Sequence, residues 1–151
     1  MYVDGCCNKS IGACCSVVDN NGNDLISEHI DFLKKFRFLD WFIMKRHNGR
    51  LVYQVNFTDV VSQQNNGAEL LAMLIGLMLG LKFEDYIIYS DSQLIVDYWS
   101  LKKSDKIKDP KKSKIQLAVI KLRKEYERRG GKIVKISGND NLADLGFHVK
   151  K

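Results

Sequence analysis

The chain has 151 residues, about the size of one ordinary domain. With 45% apolar, 28% charged and 10% aromatic residues, one proline and 11 glycines, it is not a disordered, collagen-like or proline-rich chain. The net charge is +6 but unevenly placed: residues 102–135 hold 14 Lys or Arg against 4 Asp or Glu. A basic half beside an acidic half fits a polyanion-binding surface next to a site that uses carboxylates, although a solvated lysine-rich helix gives the same count.

Residues 1–7 and 11–18 read as strands. Asp19-Asn20-Asn21-Gly22-Asn23 reads as a turn, because Asn and Gly tolerate left-handed backbone. A third strand is expected over 24–29. Residues 30–50 are aromatic and basic and fit neither period; they read as one long hairpin or as a short helix before a strand. His47-Asn48-Gly49 looks like a turn, and the run from Leu51 to Val61 resembles a strand.

The spacing predicts a helix over 67–81, capped by Asn66 with Glu69 three residues on. Its longest apolar run, Leu70 to Leu81, is short of the roughly 18 residues of a membrane span. This helix is apolar nearly all round and should be buried on most sides. Tyr86–Ser90 reads as a short strand, followed by a helix to about Leu101 and a basic connection over 102–114. Ile115, Val119, Leu122 and Tyr126 mark one face of another helix, which Gly130-Gly131 ends. Lys132–Ser137 reads as a strand, and a last helix is expected from about Leu142. Hairpins first and βα alternation after give a mixed α/β sheet flanked by helices in a single domain, residues 1–151.

The cysteines fall as Cys6-Cys7 and Cys14-Cys15, which is not the spacing of common zinc sites. They read as reduced residues filling a sheet. No secretion signal is apparent, so a cytoplasmic or nuclear location is expected. The 18 Lys to 6 Arg ratio, with many Asn and Ile, suits an AT-rich genome such as a viral one.

Four acidic residues occupy unusual places. Asp4 lies inside the first strand, Glu69 in the first turn of the apolar helix, Asp91 at the end of a strand, and Asp144 near the start of the final helix. Taken singly, Glu69, Asp91 and Asp144 could each do no more than cap a helix. Asp4 has no cap to make, and a carboxylate is costly to bury unpaired. If the first and fourth strands are neighbours, Asp4 meets Asp91, and the two helix starts bring in Glu69 and Asp144. Such a group would repel itself unless hard divalent cations, Mg²⁺ or Mn²⁺, neutralise it.

These residues resemble the type 1 ribonuclease H family. Tyr2-Val3-Asp4-Gly5, the stretch Gln64-Asn65-Asn66-Gly67-Ala68-Glu69-Leu70-Leu71-Ala72, Tyr89-Ser90-Asp91-Ser92-Gln93 and Asp140-Asn141-Leu142-Ala143-Asp144 match its motifs in order. The resemblance implies a ribonuclease H-like fold with a mixed five-stranded sheet, three antiparallel strands then two parallel, and an insertion around residues 30–50. It implies hydrolysis of the RNA strand of RNA–DNA hybrids with two Mg²⁺ ions, for which Mn²⁺ can substitute. Asp4, Glu69, Asp91 and Asp144 would then be catalytic metal ligands.

Nucleic-acid contacts would fall to Gly12, Asn65, Asn66, Ser92 and Gln93. A basic protrusion would add Trp99, Lys102, Lys103, Lys106, Lys108, Lys111 and Lys112. A monomer with no membrane association is expected. Two features depart from the family. The loop Ile136–Asp140 has no His, leaving His148 as a possible substitute, and either Asp140 or Asn141 fills the position before the last motif. The alternatives are a Holliday-junction resolvase or other DNA nuclease of the same fold, and a weakly active or non-catalytic hybrid-binding module.

Overall fold

The computed structural model describes residues 1–8, 12–36, 42–47, 50–55, 61–101 and 110–144, with side chains left out at 8, 42–47, 50–55, 61–65, 110 and 111. Six strands form one sheet: β1 (Tyr2–Asn8), β2 (Gly12–Val18), β3 (Phe42–His47), β4 (Arg50–Val55), β5 (Ile87–Ser90) and β6 (Lys132–Lys135). Their order is β3-β4-β2-β1-β5-β6. The first four are antiparallel to their neighbours, and β1-β5 and β5-β6 are parallel.

The sheet is mixed, as the sequence implies, but among the described residues it has six strands rather than five. The expected strand over 24–29 is helical instead. Asp24 Oδ1 accepts from the amides of Ile26 and Ser27 and caps a short helix, α1 (Leu25–Glu28), followed by α2 (Ile30–Leu33). The Asp24 cap overrides the β-like pattern of this segment. Only a single bridge from Val18 to Asp24 remains of the expected strand. Residues 30–50 combine both readings, a short helix and then a hairpin. His47 pairs with Arg50 across a two-residue connection; Asn48 and Gly49 themselves lie outside the described residues.

The core is built on α3 (Val61–Phe83), six residues longer at its start than the spacing predicts. It lies across β1 and β2 on one side and against α4 (Pro110–Arg128) on the other. This explains its apolar surface: every residue from Leu70 to Gly80 is buried. Asn66–Phe83 is long and apolar enough to cross a membrane by length and composition, but 78% of it is buried inside this fold. Ile115, Val119 and Tyr126 of α4 are buried against it, and Leu122 packs beside them. The helix begins at Pro110, so the expected basic connection over 102–114 is helical in its last part; 102–109 lie outside the described residues.

Gly130, at φ +93°, ends α4. Its amide donates to Glu127 O, and that of Gly131 donates to Tyr126 O at 2.8 Å, a Schellman closure. Gly131 also lets the Tyr126 ring approach, since a Cβ there would lie 2.5 Å from Cδ2. The Tyr126 hydroxyl then donates to Asp85 O at 2.8 Å and ties α4 to the turn before β5. After β5 the helical segment widens into a π-turn, Ile95–Trp99. Arg123, itself buried, clamps this turn by donating to Val96 O and Ser100 Oγ.

Two of the close approaches set the site. A Cβ on Gly76 would lie 2.7 Å from Val3 Cγ1, and a Cβ on Gly5 would overlap the Glu69 amide nitrogen and the Ala68 carbonyl carbon. Backbone meets backbone at Gly5, so no rotamer change relieves the overlap. We predict that Gly5→Ala destabilises the protein by about 3 kcal/mol in chemical denaturation, while Gly22→Ala, where a Cβ meets nothing, costs about 1 kcal/mol for its positive φ.

Candidate metal centre

β1 and β5 are parallel neighbours with Val3 opposite Ser90. That register brings Asp4, the next residue of β1, beside Asp91, the next residue after β5. The contact at Gly5 sets Glu69 of α3 over the same strand. The result is a tight group: carboxylate oxygens of Asp4, Glu69 and Asp91 all lie within 4.8 Å of one another. Asp144, from the turn after the 3₁₀ segment Gly138–Asp140, is close enough to repel Asp4 electrostatically.

The helix-capping alternatives do not describe these residues. Because α3 starts at Val61, Asn66 and Glu69 are interior to it, and neither is a cap. The helix after β5 is started by Ser92, whose Oγ accepts from the Ile95 amide, rather than by Asp91. Ser90 Oγ in turn accepts from the Ser92 amide and braces the turn that carries Asp91. Asn141 Oδ1 accepts from the Ala143 amide and closes the turn that carries Asp144. The expected final helix is a turn over 141–144 and otherwise lies outside the described residues, as does His148.

Of Asp140 and Asn141, it is Asn141 that reaches the carboxylate group. It is buried, and its Nδ2 donates to Val3 O at 3.0 Å and to Asp91 Oδ2 at 3.2 Å. It therefore joins the C-terminal turn, β1 and the Asp91 carboxylate. Asp140 is exposed and accepts from Ser137 Oγ. Gly138 stands beside the same carboxylate, with a Cβ position 3.5 Å from Asp91 Oδ2.

Asp4 carries the electrostatic strain. It is 2% exposed. Burial, then the charges of Asp91 and Glu69, a hydrogen bond with Glu69 and the charge of Asp144 push its carboxyl up to about 10. Without a cation, this shift favours a proton held within the carboxylate group at neutral pH. Oxygen-only donors, mutual repulsion and a spacing that one ion can span fit a hard divalent cation. These residues could hold one; their chemistry does not fit a soft metal.

The residues proposed for nucleic-acid contact differ in where the structure puts them. Asn66 lies one helical turn before Glu69 on α3, and Gln93 is exposed just after Asp91. Gly12, at φ +78°, opens β2 opposite Asn8. Ser92 is buried as a helix cap. Trp99 is packed in the core at 8% exposure, and Lys112 is 1% exposed. Neither presents a free surface, because apolar spacing along the helical segments draws both inward. The side chains of Asn65 and Lys111 lie outside the described residues, as do Lys102, Lys103, Lys106 and Lys108 entirely. Cys6, Cys14 and Cys15 are buried, Cys7 is half-buried, and all four are reduced. A hydrogen bond with Cys14, then burial, pushes Cys6 well up, and burial pushes Cys15 well up, so both stay protonated.

No protein-family model matches the chain, and no curated protein matches it by sequence. Among solved structures, the chain is similar to RNase H1 of the halophilic archaeon Halobacterium salinarum, at 17% identity and a TM-score of 0.48, over 97% of this chain and 90% of that one. It is also similar to the N-terminal RNase H domain of a Mycobacterium tuberculosis protein, solved as a fusion with maltose-binding protein. There the identity is 15% and the TM-score 0.48, over 97% of this chain and 95% of that one.

The sign of the Asp4 shift fixes a pH dependence. The folded value lies above the ordinary 3.8, so the stability held by the protonated group is fully present below about pH 4. It is lost as pH rises towards 10. We predict that the metal-free protein loses thermal stability over this window. Asp4→Asn, which keeps the shape without the charge, should raise its Tm at pH 8 by roughly 5 °C or more. In calorimetric melts, Mg²⁺ should stabilise the parent protein and leave Asp4→Asn nearly unchanged.

Proposed function

We propose that the protein is a Mg²⁺-dependent endonuclease that hydrolyses the RNA strand of RNA–DNA hybrids. One observation carries this reading: the carboxylates of Asp4, Glu69 and Asp91 converge within 4.8 Å, with Asp144 beside them, and these are the four positions at which the sequence resembles ribonuclease H. Asp4, Glu69, Asp91 and Asp144 would hold the cations. Bound there, two Mg²⁺ ions supply an activated water and charge stabilisation for the leaving oxygen of a phosphodiester.

The chain's own residues supply placement. β1 and β5 fix Asp4 and Asp91 on rigid sheet backbone, and α3 fixes Glu69. Asn141 orients Asp91 through its Nδ2 hydrogen bond and stays anchored on Val3 O. Asn66 and Gln93 flank the group on α3 and after β5, where they would meet the strands of a bound duplex. A 2′-hydroxyl, both donor and acceptor, is the group by which such side chains tell an RNA strand from DNA. The Lys and Arg excess over 102–135 would supply the salt-dependent attraction to phosphates.

The test is a panel of labelled RNA–DNA hybrid, duplex DNA, duplex RNA and four-way junction, with Mg²⁺ and with chelator. Cleavage of the RNA strand of the hybrid, abolished by chelator and by Asp4→Asn, is the expected result. Junction cleavage would move the reading to a resolvase, and binding without cleavage in either Mg²⁺ or Mn²⁺ would contradict a working centre.

Asn141 gives a second, graded outcome. Asn141→Ala leaves the four carboxylates in place but frees Asp91, and should weaken Mg²⁺ affinity about 10- to 100-fold in titration calorimetry. Activity should return in part at raised Mg²⁺.

A further inference from the structure

On the far side of α3 from the sheet, an open groove of about 480 Å³ runs between α2, α3 and α4. Leu74 and Met78 of α3, both buried, form its floor, and half-buried Leu81 follows them at i, i+4 and i+7. Ala118 and Leu122 form a wall at i and i+4 of α4, and Phe32 and Phe36 close one end. The small Ala118 side chain leaves the opening. The volume is that of a pocket able to take a sizeable ligand.

Its rim is cationic. Lys82, Lys121 and Arg129 border it. Lys82 Nζ sits 5.6 Å from the Phe32 ring centroid, which holds it at the edge. Lys121 is exposed and makes no ion pair among the described residues. Glu125 is the nearby acid, and it is already committed to Arg128 and Arg129. An apolar floor with a basic rim is complementary to an apolar ridge flanked by carboxylates. A nucleic-acid backbone would leave the floor uncovered.

The walls are helical and offer no open strand edge, so an occupant must satisfy its own backbone hydrogen bonds. We propose that this groove docks an acidic amphipathic helix of a protein partner, its apolar ridge between α3 and α4 and its carboxylates on Lys82 and Lys121. The cationic rim at Lys82 lies at the other end of α3 from the carboxylate centre. Glu69 and Lys82 are thirteen residues apart on α3, or about 20 Å, so the inference stands or falls independently of the nuclease reading.

The probe is a fluorescein-labelled synthetic helix with Leu and Phe at i, i+3, i+4 and i+7 and Glu on both flanks, followed by anisotropy against the full chain. Saturable binding is expected, weakened about tenfold by the pair Lys82→Glu and Lys121→Glu and by rising salt. Ala118→Phe, which fills the floor, should abolish it. If Ala118→Phe fails to fold, the exposed lysine variants still decide. Four results would overturn the proposal: no binding, equal binding of a peptide with Lys in place of Glu, equal binding of one with Ser in place of Leu and Phe, or displacement of the probe by duplex nucleic acid. A chain that is dimeric in solution and becomes monomeric with Lys121→Glu would also overturn it, since a second copy would then be the occupant.

Discussion

The backbone contact between Gly5 of β1 and Ala68–Glu69 of α3 is the constraint on which the rest of the structure depends. A side chain at residue 5 would hold the central helix off the sheet. With glycine there, and with Gly76 meeting Val3 further along, α3 lies flat on β1 and β2. The same contact that closes the core therefore fixes where Glu69 stands relative to Asp4. Core packing and site geometry are one interaction seen from two sides, and neither can be relaxed alone.

The concentration of acid that results is destabilising by itself. Asp4 is buried among three other carboxylates, which raises the free energy of the ionised form through desolvation and repulsion together. Such an arrangement persists in a fold whose other parts are conventional: a Schellman closure at Gly130, a core helix buried over most of its length, and a tyrosine tying α4 to the turn before β5. The strain is confined to the middle of the sheet, where β1, the end of β5 and the Asn141 turn meet. Local strain of this kind points to function, and a divalent cation is the simplest group that would relieve it.

Much of this was legible in the residues. A carboxylate inside an apolar strand marks Asp4, whereas the close approach at Gly5 that places it is a long-range contact that the sequence does not report. The i, i+4 spacing of Ile115, Val119, Leu122 and Tyr126 gave the face of α4, and the all-round apolar character of 70–81 gave a buried helix. The start of α3 was not legible, because the residues before Gly67 are polar and Val61 reads as the end of a strand. The strand expected at 24–29 failed for a local reason, since Asp24 caps a helix and propensity loses to that cap. Trp99 and Lys112 read as surface residues within a basic segment, but burial is set by which way each helical face turns, and composition does not report that. Asn141 was visible as a candidate without its role; its two hydrogen bonds, 138 and 50 residues away along the chain, are long-range facts.

The central claim is that Asp4, Glu69, Asp91 and Asp144 form a divalent-cation site. Titrating the isotopically labelled protein with Mn²⁺ and following paramagnetic broadening of its amide signals tests it most directly. The account predicts that broadening begins at the amides around residues 4, 69, 91 and 141–144, is reversed by excess Mg²⁺, and is lost in Asp4→Asn. Broadening that begins elsewhere on the acidic surface, or that is unchanged in Asp4→Asn, would contradict it.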